Sequence, residues 1–205
     1  MKSFPEQIPI FPLSGVIYFP KTNLPLNIFE RRYLDLVNDT LRKDKLMGMI
    51  QSKRQKNELY NVGCLGKISD FQKSKDGRIL INLTGIIRFQ VLEEVKNSKL
   101  YREFKVGYKK FSSDLEPVLE EIDTKSIIKK AEIFFKKNGL LLNWREFDKL
   151  DIAQKINTLS MIAPLSNEEK QTLLETISLK EKAKTLGDIM NFYLYEASSN
   201  NQTIQ

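Results

Sequence analysis

The sequence predicts an α+β protein, on three observations. Short apolar runs with two-residue alternation fill the first 112 residues, an Asp-Gly pair sits between two of them, and from Ser113 onward the apolar spacing changes to that of helices. The expected division is a β-rich unit over 1–112 and a helical unit over 113–205.

Residues Ile8 to Tyr33 read IPIFPLSGVIYFPKTNLPLNIFERRY, with Pro at 9, 12, 20 and 25. A membrane span needs about 18 or more uninterrupted apolar residues, and Ser14, Lys21, Thr22, Asn23 and Asn27 break this one. Each Pro removes a backbone donor and pushes the preceding residue toward extended geometry, so short strands and bends are expected here. A helix follows over Glu30–Arg42, carrying Tyr33, Leu34, Val37 and Leu41 on one face, with the Glu30 charge at its positive end. Strands are expected over Leu46–Ile50 and over Asn61–Phe71, the latter bent by its glycines. Asp76-Gly77 predicts a tight hairpin turn into Ile79, Ile81 and Leu83, and Thr84-Gly85 a bend or bulge. Tyr101–Phe111 alternates again and reads as the last strand.

In the second half, Ser113-x-x-Glu116 fits a capping box, opening one or two helices that end at Asn138-Gly139. Acids lead and lysines trail in this stretch, the order a helix dipole favours, so these charges need no ligand. A helix is expected from Asp148 to about Ile162. Ser166-x-x-Glu169 and Ser178-x-x-Glu181 predict helices over Asn167–Ile177 and Leu179–Tyr195. The tail SSNNQTIQ reads as frayed.

Composition removes several chemistries. The 205 residues include no His and one Cys, so no Ser-His-Asp triad, Cys-His pair, imidazole ligand or internal disulfide can be built. Cys64 alone reads as a small buried side chain. The start of the chain lacks the pattern of a secretory leader, which leaves a cytoplasmic location and no membrane association as the expectation. Gly63-Cys64-Leu65-Gly66-Lys67-Ile68 has the wrong spacing for a phosphate loop, and Ile replaces its hydroxyl residue. No carboxylate pair or Ser-Lys pair stands out. The reading is therefore a protein that is not an enzyme, with no catalytic residue, no metal site and no cofactor.

Charge is uneven. Residues 1–112 hold 21 Lys and Arg against 11 Asp and Glu, while the remainder hold 12 against 15. Tyr101, Phe104, Tyr108 and Phe111 interleave with Arg102, Lys105, Lys109 and Lys110, in outline a single-strand nucleic-acid face. Alternation on a half-buried strand gives the same pattern, and that reading is preferred.

Several of these pieces together resemble one family. Pro9, Phe11-Pro12-Leu13, Phe19-Pro20, Pro25-Leu26-Asn27-Ile28-Phe29-Glu30 and Arg32-Tyr33 resemble the opening of the substrate-binding domain of Lon proteases. Tyr60-Asn61-Val62-Gly63, Asp76-Gly77-Arg78, Leu83-Thr84-Gly85 and Arg88-Phe89 continue the resemblance in order, and LSNEEKQTLLETISLKEKAKTL extends it into the helical half. The resemblance implies a PUA-like pseudo-barrel followed by a helical bundle, in the manner of free-standing bacterial proteins made of this domain alone. It implies a non-enzymatic module that binds unfolded or apolar polypeptide, with a separately encoded ATPase or protease as a further partner. Leu26, Phe29, Tyr33 and Arg88 are the candidate groove residues, each also readable as core. The alternative is RNA binding, since PUA-like folds also serve RNA and the β-half is basic.

Overall fold

The computed structural model describes residues 4–53 and 58–199. The chain divides into two compact units, Met1–Glu116 and Pro117–Gln205.

The first unit is one mixed sheet of six strands: β1 (Gln7–Leu13), β2 (Asn23–Ile28), β3 (Leu46–Gln51), β4 (Val62–Lys73), β5 (Ile79–Val95) and β6 (Arg102–Gly107). Their order is β2-β5-β4-β3-β1-β6, and a further β5–β6 pairing closes the last five into a barrel. Only β1 and β3 run parallel. The length of β5 makes closure possible: Ile79–Thr84 pairs with β2, whereas Gln90–Val95 pairs with β6 along the same edge. β2 is consequently an edge strand.

The prolines fit this plan. Pro9 and Pro12 each lie in a part of β1 paired on one side only, to β6 and to β3 respectively, and Pro25 lies on edge strand β2, where a missing donor is tolerated. Helix α1 (Arg31–Leu41) follows β2, with Tyr33 against Phe11 at 4.2 Å between ring centroids. Glu30 precedes it without a side-chain cap and pairs instead with Arg32 at 2.8 Å.

Ile8, Ile10, Met47, Leu65 and Phe89 fill the barrel. Gly48 and Gly63 make room in the barrel, since a Cβ at Gly48 would collide with the Ile10 and Ile8 side chains and one at Gly63 with the Met49 carbonyl and the Phe89 ring. Gly85 is needed for a different reason. Its N–H donates to Thr22 O and its carbonyl accepts from Lys21 N, each at 2.9 Å, so the Phe19–Thr22 backbone crosses directly over it. A turn forms at Asp76-Gly77 as expected, but Gly77 alone of the two takes a positive φ, +87°, donating to Ser74 O, and the connection between β4 and β5 spans 74–78.

Two expectations fail at the end of this unit. The last strand stops at Gly107, and Lys109–Leu115 is a 3-10 helix that turns Phe111 fully inward. The expected Ser113 capping box opens no helix. Glu116 precedes Pro117 and is extended, at φ −93° and ψ 155°, because the proline ring disfavours helical geometry in the residue before it.

The second unit is helical: α2 (Thr124–Lys137), α3 (Trp144–Phe147), α4 (Ile152–Ile162), α5 (Asn167–Glu175) and α6 (Leu179–Ser199). Asp123, not Ser113, caps α2 by accepting from Ser126 N at 3.1 Å. Asn138 and Gly139 end it, with φ +67° at the glycine. α4 starts later than Asp148, at a capping box between Asp151 and Gln154, and the short α3 was not anticipated. The Ser166–Glu169 box forms in full, and Ser178 Oγ accepts from Glu181 N at 3.3 Å. Phe134, Phe135, Leu159, Leu186 and Met190 are buried in this unit. Of the tail expected to fray, Ser198 and Ser199 belong to α6, and 200–205 lie outside the described residues. No described helix is long and apolar enough to cross a membrane.

Candidate functional site

Beyond the closed barrel, β2 and the outer halves of β5 and β4 form a three-stranded ribbon. Register places Leu26, Ile81 and Phe71 in one transverse row, flanked by the rows Leu24–Leu83–Ile68 and Ile28–Ile79–Lys73. Directly opposed residues share a face, so these rows make one apolar face. The other face is mainly polar, with Leu80, 44% exposed, and Pro25 as its apolar residues. There the Thr84 hydroxyl donates toward Asn23 Oδ1 at 2.8 Å, and Asn82 Nδ2 donates to Ser69 Oγ at 3.3 Å.

Ile68 and Phe71 are three residues apart yet share the apolar face, because a bulge at Ser69 shifts the β4 register between Ile68 and Asp70. The ribbon buries Ile79, Ile81 and Leu83 but leaves Leu26 half-buried and Phe71 43% exposed. Phe29, one residue past β2, is 66% exposed. Among the described residues β2 pairs with β5 alone, so its outer edge faces no other strand.

The four candidate residues therefore separate. Leu26 and Phe29 lie at the surface of the ribbon. Tyr33 is buried between α1 and β1 with the Arg32 guanidinium over its ring, and burial pushes its hydroxyl pKa up. Arg88 is 2% exposed, and its guanidinium binds Asp114 at 2.7 Å while lying over Phe111. Both are enclosed by the fold, Tyr33 by the tilted Phe11 ring and Arg32, Arg88 by Asp114 and Phe111. Phe71 was not singled out from the sequence. No periodicity signals it, because its facing depends on the bulge.

In the basic, aromatic stretch three of the aromatics turn inward, while Lys105, Lys109 and Lys110 stay exposed. Tyr101, Phe104 and Phe111 are buried, Arg102 pairs with Glu94 and Lys105 with Glu93. Cys64 is fully buried in β4, and Gly63–Ile68 is strand rather than phosphate loop. Among the described residues no three acidic or Cys side chains are grouped to hold a metal ion.

The profile of the ATP-dependent protease La (LON) substrate-binding domain matches residues 7–191. A Lon protease of Anaeromyxobacter dehalogenans is 24% identical over 93% of this chain, and one of Syntrophus aciditrophicus is 22% identical over 93%. The chain spans about a quarter of the length of these relatives, 24% and 25% respectively. The fold is shared with the Lon N-terminal domain protein of Xanthomonas campestris (TM-score 0.66, 24% identity, 88% of this chain and 96% of that one). It is shared also with the N-terminal domain of a Mycobacterium avium complex Lon protease (TM-score 0.64, 16% identity, 90% and 98%). What matches is the substrate-binding domain, not the ATPase or peptidase portions. With a family profile running from the first strand into the last helix, and the same fold in two Lon N-terminal domains, the chain belongs to the LON substrate-binding domain family.

Proposed function

We propose that the chain is a non-enzymatic polypeptide-binding module, and that extended apolar segments bind along the β2–β5–β4 ribbon. The observation that carries this reading is the coincidence of an open strand edge with the half-buried Leu26 and the exposed rings of Phe29 and Phe71, on or next to one ribbon. An extended chain added to β2 gains backbone hydrogen bonds along the edge, and every second side chain can lie against the apolar rows. Fully burying one Phe side chain stabilises by about 1.5–3 kcal/mol, so two exposed rings can supply a useful share of affinity for unfolded chain. Delivery of the bound segment to a separately encoded ATPase or protease is the role that the family membership supports.

The test is fluorescence anisotropy with a labelled, permanently unfolded polypeptide and a labelled single-stranded RNA, at low and high salt. The expected result is polypeptide binding that changes little with salt, since apolar burial is not screened. RNA binding alone, lost steeply with rising salt through counterion release, overturns the proposal.

A further inference from the structure

The register of β2 fixes which of its backbone groups face outward. In an antiparallel sheet the N–H and C=O of one residue point to the same side, and the side alternates along the strand. Asn82 O accepts from Ser69 Oγ of β4 at 3.0 Å, so Asn82 turns its backbone groups toward β4. Pro25, directly opposite Asn82, therefore turns its own away from β5. The alternate set agrees: Gly85 N donates to Thr22 O, and steps of two from Thr22 lead to Leu24, Leu26 and Ile28.

Asn23, Pro25 and Asn27 thus present their backbone to the outer edge, and all three are exposed. Their side chains lie on the mainly polar face, and those of Leu24, Leu26 and Ile28 on the apolar one. A segment paired along this edge has every second side chain beside Leu24, Leu26 and Ile28, where the rows ending at Ile68 and Phe71 continue the apolar surface. The side chains in between lie beside Asn23, Pro25 and Asn27, next to Thr84, Asn82 and Ser69. Apolar residues at helical spacing put part of their surface on that wet face. Backbone pairing here consequently selects a sequence pattern.

Pro25 acts on the same edge. It has no N–H, so β2 offers donors at Asn23 and Asn27 but none between them. A client opposite Pro25 still donates to its carbonyl and forgoes one bond. Antiparallel pairing with β2 of a second copy, centred on Pro25, opposes two prolines and forgoes both. From the outward backbone of Asn23, Pro25 and Asn27 we infer that this edge selects extended polypeptide with apolar residues at every second position, and that Pro25 keeps a second copy of the chain off it. This rests on the polypeptide-binding role proposed for the ribbon.

The test is fluorescence anisotropy with two labelled peptides of one composition, Leu alternating with Ser in the first and Leu at helical spacing in the second. The alternating peptide binds about tenfold tighter or more, because each Leu off the apolar face forfeits its burial. N-methylation of one alternate set of its residues, and not of the other, weakens binding about tenfold: the Ser set for an antiparallel client, the Leu set for a parallel one. Pro25→Val restores the central donor and tightens binding about threefold. Equal affinity for the two peptides, equal effects of methylating either set, or no tightening in Pro25→Val overturns the inference. Dimers of the unsubstituted chain that the peptide breaks apart in sedimentation assign the edge to a second copy and overturn it as well. Phe29→Ser with Phe71→Ser shows which claim has failed. If that double variant loses the alternating peptide, the ribbon still holds polypeptide and only the edge selection falls; if it binds unchanged, the proposed role falls too.

Discussion

Arg88 and Asp114 lock the 3-10 helix onto β5. Arg88 gives three donors to one carboxylate: its backbone N–H at 2.9 Å, Nε at 2.9 Å and Nη2 at 2.7 Å. Both side chains are nearly inaccessible, at 2% and 8% exposure. The pair ties residues far apart in sequence, and Phe111 beneath the guanidinium is fully buried with it.

Removing one member of such a pair leaves the other charge buried. Arg88→Ala is expected to destabilise by about 3–5 kcal/mol. Arg88→Met with Asp114→Asn keeps an acceptor for the Arg88 backbone N–H and removes both charges, so it recovers most of that loss. Urea unfolding of the two variants beside the unsubstituted protein decides the matter. A loss below about 1 kcal/mol in Arg88→Ala means that the pair contributes nothing beyond a surface bridge.

Glycine substitutions separate crowding from conformation. At Gly85 a Cβ collides with the Phe19 carbonyl, and backbone cannot swing aside as a side chain can. At Gly77 there is open space and only the φ of +87° opposes a side chain. Gly85→Ala should therefore cost more than the roughly 1 kcal/mol expected for Gly77→Ala. Thermal melts that rank the two in reverse order contradict the crossing of Phe19–Thr22 over β5.

The ribbon predicts loss of binding without loss of fold. Phe29→Ser and Phe71→Ser each remove an exposed ring, so melting temperatures should hold within the scatter of surface substitutions. Affinity for an unfolded polypeptide should fall about tenfold or more in the double variant. Unchanged affinity in that variant moves the binding surface elsewhere.

Alkaline pH should weaken the β-unit through its tyrosines. Burial, then the hydrogen bond to Asp39, pushes Tyr101 up to about 12 from an ordinary value near 10. Burial raises Tyr18, Tyr33 and Tyr108 as well. A raised folded-state pKa means that the native state holds its proton longer, so this stabilisation is complete below about pH 10 and declines as pH rises toward 12. Tyr101→Phe should flatten that decline, read as urea midpoints between pH 9 and 12. An identical slope in the variant removes Tyr101 from the account.

Helix starts were legible wherever one local bond sets them. Ser166 and Glu169 satisfy each other's backbone groups across three residues, and Ser166→Ala should cost about 1 kcal/mol. A change within about 0.3 kcal/mol in urea unfolding shows that the cap is replaced by water. The Ser113 box, equally good as a local pattern, gave no helix because Pro117 holds Glu116 extended.

The sequence by itself determined the α+β class, most strands, the Asp76-Gly77 turn and the family, because alternation, turn geometry and fixed-spacing motifs act over a few residues. Tertiary structure alone decided which candidates face outward. Tyr33 and Arg88 turn in because Phe11 and Asp114, distant in sequence, complete their surroundings, while Phe71 turns onto the Leu26 face because one extra residue in β4 resets the register. Barrel closure has the same origin: a single long strand must find β2 and β6 on one edge, a pairing over long separation that no local pattern encodes.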